Sequence, residues 1–259
     1  MAISMPYYSN GSVLSRLNSL NFLDLQEALK CLIDILRGLE YLHENGYYHC
    51  DIKPNNILVG DREEYLLTDY GITCYSPDQA VTPRQSYLPH ISPETLDQDT
   101  YDGRTDIYQL GLTEFRLING ISEIRVDFDK DRVAFNEKVL KGKVINPSNY
   151  KPYVPHVLRR IINKATCLNP DDRYQTPLEM RRALERVRLI GNCTGDMAGN
   201  LLLLQGYNTY RYEIIPLPKN KFMLLAYKRN NKSGNETRYS KYCLKDLSFK
   251  QIHKSIQEF

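Results

Sequence analysis

The 259-residue sequence lacks any apolar run long enough to cross a membrane. A transmembrane helix needs about 18 or more consecutive apolar residues, and the longest pure leucine run, residues 201–204, has only LLLL. The first ten residues, MAISMPYYSN, also lack the basic start and the apolar core of a secretory signal peptide. We therefore expect no membrane partner, and we predict a cytoplasmic location.

Clustered cysteines are absent as well. None of the six cysteines forms a CxxC pair, and they are scattered along the chain: Cys31, Cys50, Cys74, Cys167, Cys193 and Cys243. This spacing is not typical of a zinc site or of a disulfide framework. We expect reduced thiols that pack as small apolar side chains.

A strong excess of one charge is the third absence. The formal net charge is +3, and no long Lys/Arg block occurs, so we predict no nucleic-acid partner. Hydrophobic residues make up 42% and charged residues 25% of the chain, which is a globular composition. The length allows one large domain or two small ones.

The pattern of apolar residues predicts helices over most of the chain. Asp24 and Glu27 have the spacing of a capping box, and apolar residues then recur at helical spacing as far as Asn45-Gly46, where glycine favours a helix end. Two short strands are predicted next, at residues 56–59 and 64–68, and a long irregular segment covers residues 69–94. Later helices are predicted at residues 105–119, 129–141, 155–168 and 177–188.

The sequence changes character at residues 191–200, GNCTGDMAGN, which we interpret as a turn-rich linker. Three β-like runs follow, and a closing helix is predicted at residues 248–257. The β-like runs cover residues 207–217, 221–228 and 236–244. We interpret residues 201–259 as a small α+β domain of unknown role.

The polar residues of chemical interest are concentrated in YYHCDIKPNNILV, residues 47–59. Asp51 is a candidate base, Lys53 can neutralise negative charge beside it, and Asn56 offers an amide oxygen to a hard cation. A second acid, Asp69, follows the next predicted strand. Mg²⁺ takes few protein ligands and prefers oxygen, so an acid, a lysine and an amide at this spacing favour phosphoryl transfer.

Five motifs in one order give this sequence its family resemblance. HCDIKPNN, residues 49–56, resembles the catalytic loop H-R-D-x-K-x-x-N of eukaryotic-type protein kinases. The other four motifs are DYG at residues 69–71, SPE at 92–94, DIYQLG at 106–111 and NPDDR at 169–173. They resemble, in turn, the D-F-G metal motif, the A-P-E end of the activation segment, the start of the following buried helix and the late N-P-x-x-R. The lysine at position 53 resembles the serine/threonine class.

The resemblance implies a role for each matching side chain. Asp51 would accept or orient the proton of the substrate hydroxyl, and Lys53 would contact the transferring phosphate; these two are the predicted catalytic residues. Asn56 and Asp69 would hold Mg²⁺ and, with it, ATP.

The resemblance also implies structural roles for residues around that loop. Glu94 would pair with Arg173 and brace the activation segment. Asp106 would anchor the backbone of the catalytic loop from below, and His49 would pack under it. Cys50 occupies the position where the family has an arginine that pairs with a phosphorylated activation loop. A cysteine cannot form that pair, so we do not expect loop phosphorylation to regulate this protein.

Other parts of the family pattern are absent from this sequence. No G-x-G-x-x-G occurs, and nothing like V-A-I-K precedes the catalytic loop. Residues 3–12 instead resemble the hinge between the two kinase lobes, with Met5 near the gatekeeper position and Tyr7 and Tyr8 beside it as candidate adenine contacts. We therefore expect the chain to hold the large lobe without the small one.

These observations lead to a fold prediction and to two hypotheses of function. The predicted fold is mainly α, with a helical, kinase-like C-terminal lobe over residues 1–190, a linker at 191–200 and the small domain after it. The first hypothesis is a serine/threonine protein kinase that uses ATP and Mg²⁺ on a protein substrate and takes its small lobe from a separate chain or from an upstream segment. The alternative is a pseudokinase that acts as a scaffold or a regulatory binding module for a protein partner.

Overall fold

The computed structural model describes residues 5–76, 87–189, 191–196 and 200–257. Residues 3 and 4 of the predicted hinge, residues 77–86 of the predicted irregular segment and residues 197–199 of the predicted linker lie outside the described residues. The helices, in chain order, are α1 (Leu25–Glu44), α2 (Pro93–Gln98), α3 (Gly103–Asn119), α4 (Glu123–Lys130), α5 (Arg132–Leu140), α6 (His156–Ala165), α7 (Pro177–Glu185) and α8 (Phe249–Gln257).

Strands are more extensive than the sequence predicted. They are β1 (Tyr47–Tyr48), β2 (Ile57–Val59), β3 (Tyr65–Leu67), β4 (Cys74–Tyr75), β5 (Asn192–Gly195), β6 (Leu201–Gln205), β7 (Asn208–Leu217), β8 (Lys221–Asn230), β9 (Glu236–Arg238) and β10 (Leu244–Leu247). About 44% of residues are helical and 20% are in strands. The predicted mainly-α class is therefore wrong. The physical reason is the multistranded sheet near the C-terminus, where the two longest strands have ten residues each.

The first helix follows the predicted apolar pattern, but its N-terminus is not capped as predicted. The Asp24 side chain makes no capping hydrogen bond, and Glu27 instead accepts a hydrogen bond from the Tyr65 hydroxyl on β3. The free backbone N–H of Gln26 is satisfied from far along the chain, because Asn192 Oδ1 accepts from it at 3.1 Å. The predicted capping box is therefore wrong, and β5 supplies the cap.

Helix α3 forms the centre of the kinase-like region and is buried along almost its whole length. Asp102 caps its start by accepting from Arg104 N at 2.8 Å. Gly111 lets α6 pack against it closely, since an added Cβ at this glycine would lie 2.7 Å from the Thr166 side chain and 2.9 Å from that of Ala165. This packing fixes the helix that carries Asp106.

The two strands predicted at residues 56–59 and 64–68 match the structure, whereas the helix predicted at residues 129–141 is divided. Strands β2 and β3 pair antiparallel, with Ile57 opposite Leu67, inside the predicted ranges. The single helix predicted at residues 129–141 is instead two helices. Asp131 interrupts it with an extended backbone, φ −157° and ψ 101°, and its side chain accepts from Ala134 N at 2.9 Å, which starts α5.

The C-terminal strands form one antiparallel sheet in the order β10-β8-β7-β6-β5, and β9 also pairs with β8. Four residues of the predicted linker are strand β5, which pairs with β6 and packs against α1. Helix α8 covers one part of the sheet, where the Phe222 and Phe249 rings are 5.9 Å apart. Within the described ranges, no helix combines the length and the hydropathy needed to cross a membrane.

Candidate active site

The loop between β1 and β2 is held to α3 by its backbone. Asp106 accepts hydrogen bonds from His49 N at 2.8 Å and from Cys50 N at 2.9 Å. One helical turn on, Gln109 Oε1 accepts from Ile52 N at 2.8 Å, and its Nε2 donates to Cys50 O at 3.2 Å. The predicted anchoring of the loop by Asp106 is confirmed.

Asp106 is fully buried and still carries its charge. Tyr101 donates a hydrogen bond to it at 2.6 Å, and His43 Nε2 lies 2.9 Å from its other oxygen. Burial alone would raise the pKa of Asp106, but the hydrogen bonds, that from His43 above all, bring this pKa below its ordinary value. The loop therefore rests on a buried carboxylate with four hydrogen-bond partners.

His49 lies under the loop, as predicted, with its ring buried. Its Nδ1 accepts from Asp51 N at 3.3 Å, so Nε2 carries the proton and donates to Thr68 O at 3.1 Å. Burial lowers the pKa of His49, which keeps the ring neutral near pH 7. The imidazole thus joins the catalytic loop to the residue that precedes Asp69.

The predicted catalytic side chains are in direct contact. Lys53 Nζ lies 2.6 Å from Asp51 Oδ2, and Asn56 Nδ2 donates to the same oxygen at 2.9 Å and to Asp51 O at 2.9 Å. The other carboxylate oxygen, Oδ1, is buried and has no hydrogen-bond partner among the described residues. One oxygen is therefore fixed, and the second is a buried hydrogen-bond acceptor without a partner among the described residues.

The two predicted metal ligands lie on adjacent segments. The amide nitrogen of Asn56 faces Asp51, which leaves its carbonyl oxygen for another ligand. The backbone N–H of Thr68 donates to the backbone carbonyl oxygen of Asn56 at 3.0 Å. This bond brings the end of β3 beside Asn56 and leaves the Asn56 side-chain oxygen unaffected. Asp69 follows with an exposed side chain. Two oxygen donors from adjacent segments fit Mg²⁺, which keeps water and phosphate oxygens as its remaining ligands.

Two residues of the site have a left-handed backbone that only glycine adopts without cost. Cys50 has φ +69° and Asp69 has φ +67°. Such residues cost about 1–3 kcal/mol each and are concentrated at functional sites. The backbone thus turns sharply just before Asp51 and again at Asp69. Strands β1 and β4 lie next to these turns, with Tyr48 opposite Cys74.

Two of the predicted adenine contacts are exposed, and the third, Tyr8, interacts electrostatically with Tyr70, the residue after Asp69. Met5 is 55% exposed and Tyr7 is 89% exposed, while Tyr8 is half-buried. Their segment joins β2 through Val59 N, which donates to Gly11 O at 2.9 Å. In the described part of the chain, no hydrogen bond or ion pair connects these three side chains to Asp51, Lys53 or Asn56.

The activation segment ends at a buried ion pair, as predicted. Arg173 donates to both carboxylate oxygens of Glu94, at 2.7 and 2.8 Å. The guanidinium also donates to the carbonyl oxygens of Cys167, Arg104 and Leu168 at 2.8–3.2 Å. The predicted Glu94–Arg173 pair is confirmed, and it connects α2 to the turn before α7.

Removing the charge of Glu94 should destabilise the fold moderately. Glu94→Gln keeps a similar volume but weakens two charge-assisted hydrogen bonds, so we expect a loss of about 1–3 kcal/mol in unfolding free energy. Burial alone would raise the pKa of Glu94, but Arg173 brings it below the ordinary value. The difference in unfolding free energy between Glu94→Gln and the unmodified protein should therefore shrink as the pH falls through that lowered pKa.

Urea unfolding of both proteins at pH 7 and at acidic pH measures this effect. Glu185→Gln is the matched control, because Glu185 also pairs with an arginine, Arg181, at 2.6 Å but lies at the surface. We expect the control to lose less than about 1 kcal/mol. Equal losses in the two variants would contradict a bracing role for Glu94.

Sequence reasoning missed several residues that shape the loop. Tyr101, His43 and Gln109 hold it as described above, and His90 Nδ1 lies 2.9 Å from Ile52 O. A signal existed for Gln109, because it lies one turn after Asp106 on a helix that is otherwise predicted to be buried. The two histidines and the tyrosine carry no such signal, since only the tertiary fold brings them to the loop.

Comparison with known proteins agrees with this geometry. A probable serine/threonine-protein kinase of Clostridium perfringens is 30% identical over 196 residues, which is 74% of this chain and 28% of that protein. The serine/threonine-protein kinase PrkC of Bacillus subtilis is 32% identical over 159 residues, which is 60% of this chain and 24% of PrkC. PknB of Mycobacterium leprae is 30% identical over 166 residues, 62% of this chain and 26% of PknB.

The chain thus spans roughly a quarter of the length of the curated relatives it matches. The family model described as "Protein kinase domain" matches residues 1–185, which is more than half of the 259 residues. On this match, and with the loop geometry above, the chain belongs to the protein kinase domain family.

Proposed function

We propose that this chain carries the catalytic loop of a serine/threonine protein kinase, which transfers the γ-phosphoryl group of ATP to a protein hydroxyl. The observation that supports it best is the Asp51 carboxylate. One of its oxygens is held by Lys53 and Asn56, and the other is buried without a partner in the described residues. A carboxylate with one oxygen held and the other oxygen unpartnered suits a base that must meet a substrate hydroxyl in a single orientation.

Each proposed role follows from the contacts of the side chain. Asp51 Oδ1 accepts the hydroxyl proton and orients the nucleophile. Lys53 stands 2.6 Å from Asp51, and its proposed role is to offset the negative charge that develops on the transferred phosphoryl group. Asn56 fixes the Asp51 carboxylate through its amide nitrogen, which leaves the amide oxygen for a metal.

Asn56 and Asp69 are the proposed Mg²⁺ ligands, and both supply the hard oxygen donors that this ion prefers. The metal, when bound, would neutralise charge on the phosphates. Met5, Tyr7 and Tyr8 are the proposed wall for the adenine ring. We propose a protein substrate for the enzyme, and the division into a kinase-type region over residues 1–190 and a smaller C-terminal domain remains part of this proposal.

Magnesium dependence tests the proposed reaction. The full chain is incubated with radiolabelled ATP and a mixture of peptides that differ only in Ser, Thr or Tyr at one position. We expect label on serine and threonine, none without Mg²⁺, and a higher Mg²⁺ requirement for Asp69→Asn, because one of two protein ligands is weakened. Transfer to tyrosine alone, or transfer that ignores Mg²⁺, would contradict the proposal.

A regulatory binding module is the second candidate. The exposure of Met5 and Tyr7 favours it, because ligand sites generally bury about 70–90% of a small ligand and these two side chains form an open wall in the structure. Calorimetric titration of the chain with Mg-ATP separates the two candidates. Absence of binding at millimolar nucleotide, together with retained binding to a protein partner, would favour the module. The cytoplasmic location stays a prediction.

A further inference from the structure

Three cations from three different elements surround Tyr87, next to the catalytic loop. Lys53 Nζ lies over the Tyr87 ring, 4.9 Å from its centroid. Arg116 of α3 and Arg125 of α4 both interact electrostatically with the Tyr87 hydroxyl, and α4 packs against residues 88–90, which directly follow Tyr87. Because Lys53 also touches Asp51, this group of cations, which we call the Tyr87 cluster, adjoins the carboxylate that is proposed to receive the substrate hydroxyl.

His90 connects the Tyr87 cluster rigidly to the loop. Arg116 Nη1 donates to His90 Nε2 at 3.0 Å, so the ring proton is on Nδ1, which donates to Ile52 O at 2.9 Å. Burial lowers the pKa of His90 to about 3, and the positive charge of Arg116 acts in the same direction. His90 is therefore neutral in the physiological range and positions Arg116 without adding a charge.

The carboxylates that face the Tyr87 cluster do not balance its charge. Asp51 pairs with Lys53 at 2.6 Å, and Asp129 pairs with Arg125 at 2.7 Å. Arg116 is buried and forms no ion pair with a described residue; its side chain donates to Ile121 O and to His90 instead. Among the described residues, one positive charge is thus left without a carboxylate partner.

The pair between Arg125 and Asp129 is weak enough for a substrate to replace it. Both side chains are about half exposed and lie one turn apart on α4. Exposed ion pairs of this kind contribute only a few tenths of a kcal/mol. A carboxylate of a bound peptide can therefore take the place of Asp129 on the Arg125 guanidinium at little cost.

We propose, on the basis of the proposed kinase function, that this protein prefers serine and threonine residues flanked by acidic side chains, and that Arg125 is a specificity-determining residue. Like charges placed together at an interface disfavour the wrong partner, and opposite charges favour the right one. A lysine or arginine beside the acceptor hydroxyl would meet the excess positive charge of the Tyr87 cluster. An aspartate or glutamate there would relieve that excess.

Two peptides test this preference. They are identical except that the acceptor serine is flanked on both sides by aspartates in one and by lysines in the other. For the unmodified full chain we expect kcat/KM to be about tenfold or more higher on the acidic peptide. Arg125→Glu should reduce the acidic-to-basic ratio by about five- to tenfold or reverse it, because the carboxylate would face a like charge.

Arg37→Glu is the matched control. Arg37 is an exposed arginine on α1 that pairs with Asp34 one turn away at 3.1 Å, and among the described residues no hydrogen bond or ion pair joins it to the catalytic loop. The control should keep the ratio of the unmodified protein. Equal kcat/KM on the two peptides, or an equal response in both variants, would overturn the inference and leave the proposed function intact.

A chain that transfers phosphate to neither peptide would count against the proposed function. Fluorescence anisotropy of the labelled peptides then decides the inference separately. Tighter binding of the acidic peptide that weakens in Arg125→Glu but not in Arg37→Glu would support the preference. Equal binding of both peptides would refute it.

Discussion

Asp51→Asn is expected to slow phosphoryl transfer by about 10²–10⁴-fold, the usual contribution of a positioned general base. The substitution keeps the size of the side chain and retains a carbonyl oxygen that Lys53 and Asn56 can both donate to. It removes the negative charge and most of the basicity from the second oxygen, which is buried and has no partner among the described residues. The expected loss is therefore in kcat, with little change in the KM for the peptide.

Radiolabelled phosphate transfer to a serine peptide, with thermal unfolding of the same sample, gives the measurement. Asp61→Asn is the matched control, because Asp61 is exposed in the turn between β2 and β3. The control should keep the full rate, and the unfolding curves should show that both variants are folded at the assay temperature. Turnover by Asp51→Asn within about twofold of the unmodified rate would remove Asp51 from its proposed role.

Glu114 should make the protein less stable as the pH rises. This residue lies on the buried helix α3, and neither of its carboxylate oxygens has a hydrogen-bond partner in the described ranges. Burial raises its pKa from 4.5 to about 8. The folded state therefore binds the proton more tightly than the unfolded state does. The corresponding stabilisation is complete below pH 4.5 and is lost as the pH rises towards 8.

The size of this loss is several kcal/mol. A difference of one between folded and unfolded pKa values corresponds to about 1.4 kcal/mol, so the shift of Glu114 corresponds to a loss of roughly 5 kcal/mol above pH 8 as an order of magnitude. The side chain introduced by Glu114→Gln is uncharged at every pH, so this variant should not show that loss of stability. The advantage of this variant over the unmodified protein should grow between pH 5 and about pH 8 and then level off.

Urea unfolding at pH 5, 7 and 9 measures that difference, because effects of the other titrating groups cancel between the two proteins. Glu44→Gln, at the exposed end of α1, is the control for removing a surface carboxylate, and its effect should be much smaller than that of Glu114→Gln at pH 9. Glu114→Met offers a second variant without a buried polar group at this position. Its free energy of unfolding should also exceed that of the unmodified protein most at pH 9. A Glu114→Gln advantage that stays constant across this range would contradict a buried, neutral carboxyl.

Much of the kinase-like region could be predicted because its element ends are local signals. Helix α1 ends before Gly46, whose φ is +74°, and α7 begins at Pro177 after Thr176, whose side chain caps it by accepting from Glu179 N. The strands β2 and β3 follow from a short apolar run on each side of a turn. These features depend on residues within a few positions of one another, which is the information that a sequence pattern carries.

The elements that were missed depend on distant contacts. Strands β1 and β4 have two residues each and exist only because Tyr48 lies opposite Cys74. The run LLLL became strand β6 because it pairs with Tyr210 and its neighbours on β7. Neither partner is visible from the local pattern, and the six-stranded sheet that contains β6 and β7 is the reason the mainly-α class was wrong.

The site was predictable to a similar extent. Asp51, Lys53 and Asn56 lie within six residues, so their direct contact follows from a single turn of the chain. Two effects could not be predicted from the sequence: that of Glu114 on the pH dependence of stability, and that of the Tyr87 cluster on substrate preference. Both depend on which polar side chains become buried and on which charges lack partners. Arg116 gave no local signal, since its contacts with His90 and Tyr87 form only across the fold.

The cap that Asn192 provides for α1 has a consequence for the order of events during synthesis. The two bonded residues are 166 positions apart. At ribosomal speeds of about 5–20 residues per second, α1 therefore emerges roughly 10–30 s before its N-terminal N–H can find that acceptor. During this interval the opening turn of the helix has only water for a partner. A chaperone that engages the nascent chain would meet a frayed first turn, which closes only after the fifth strand has been translated.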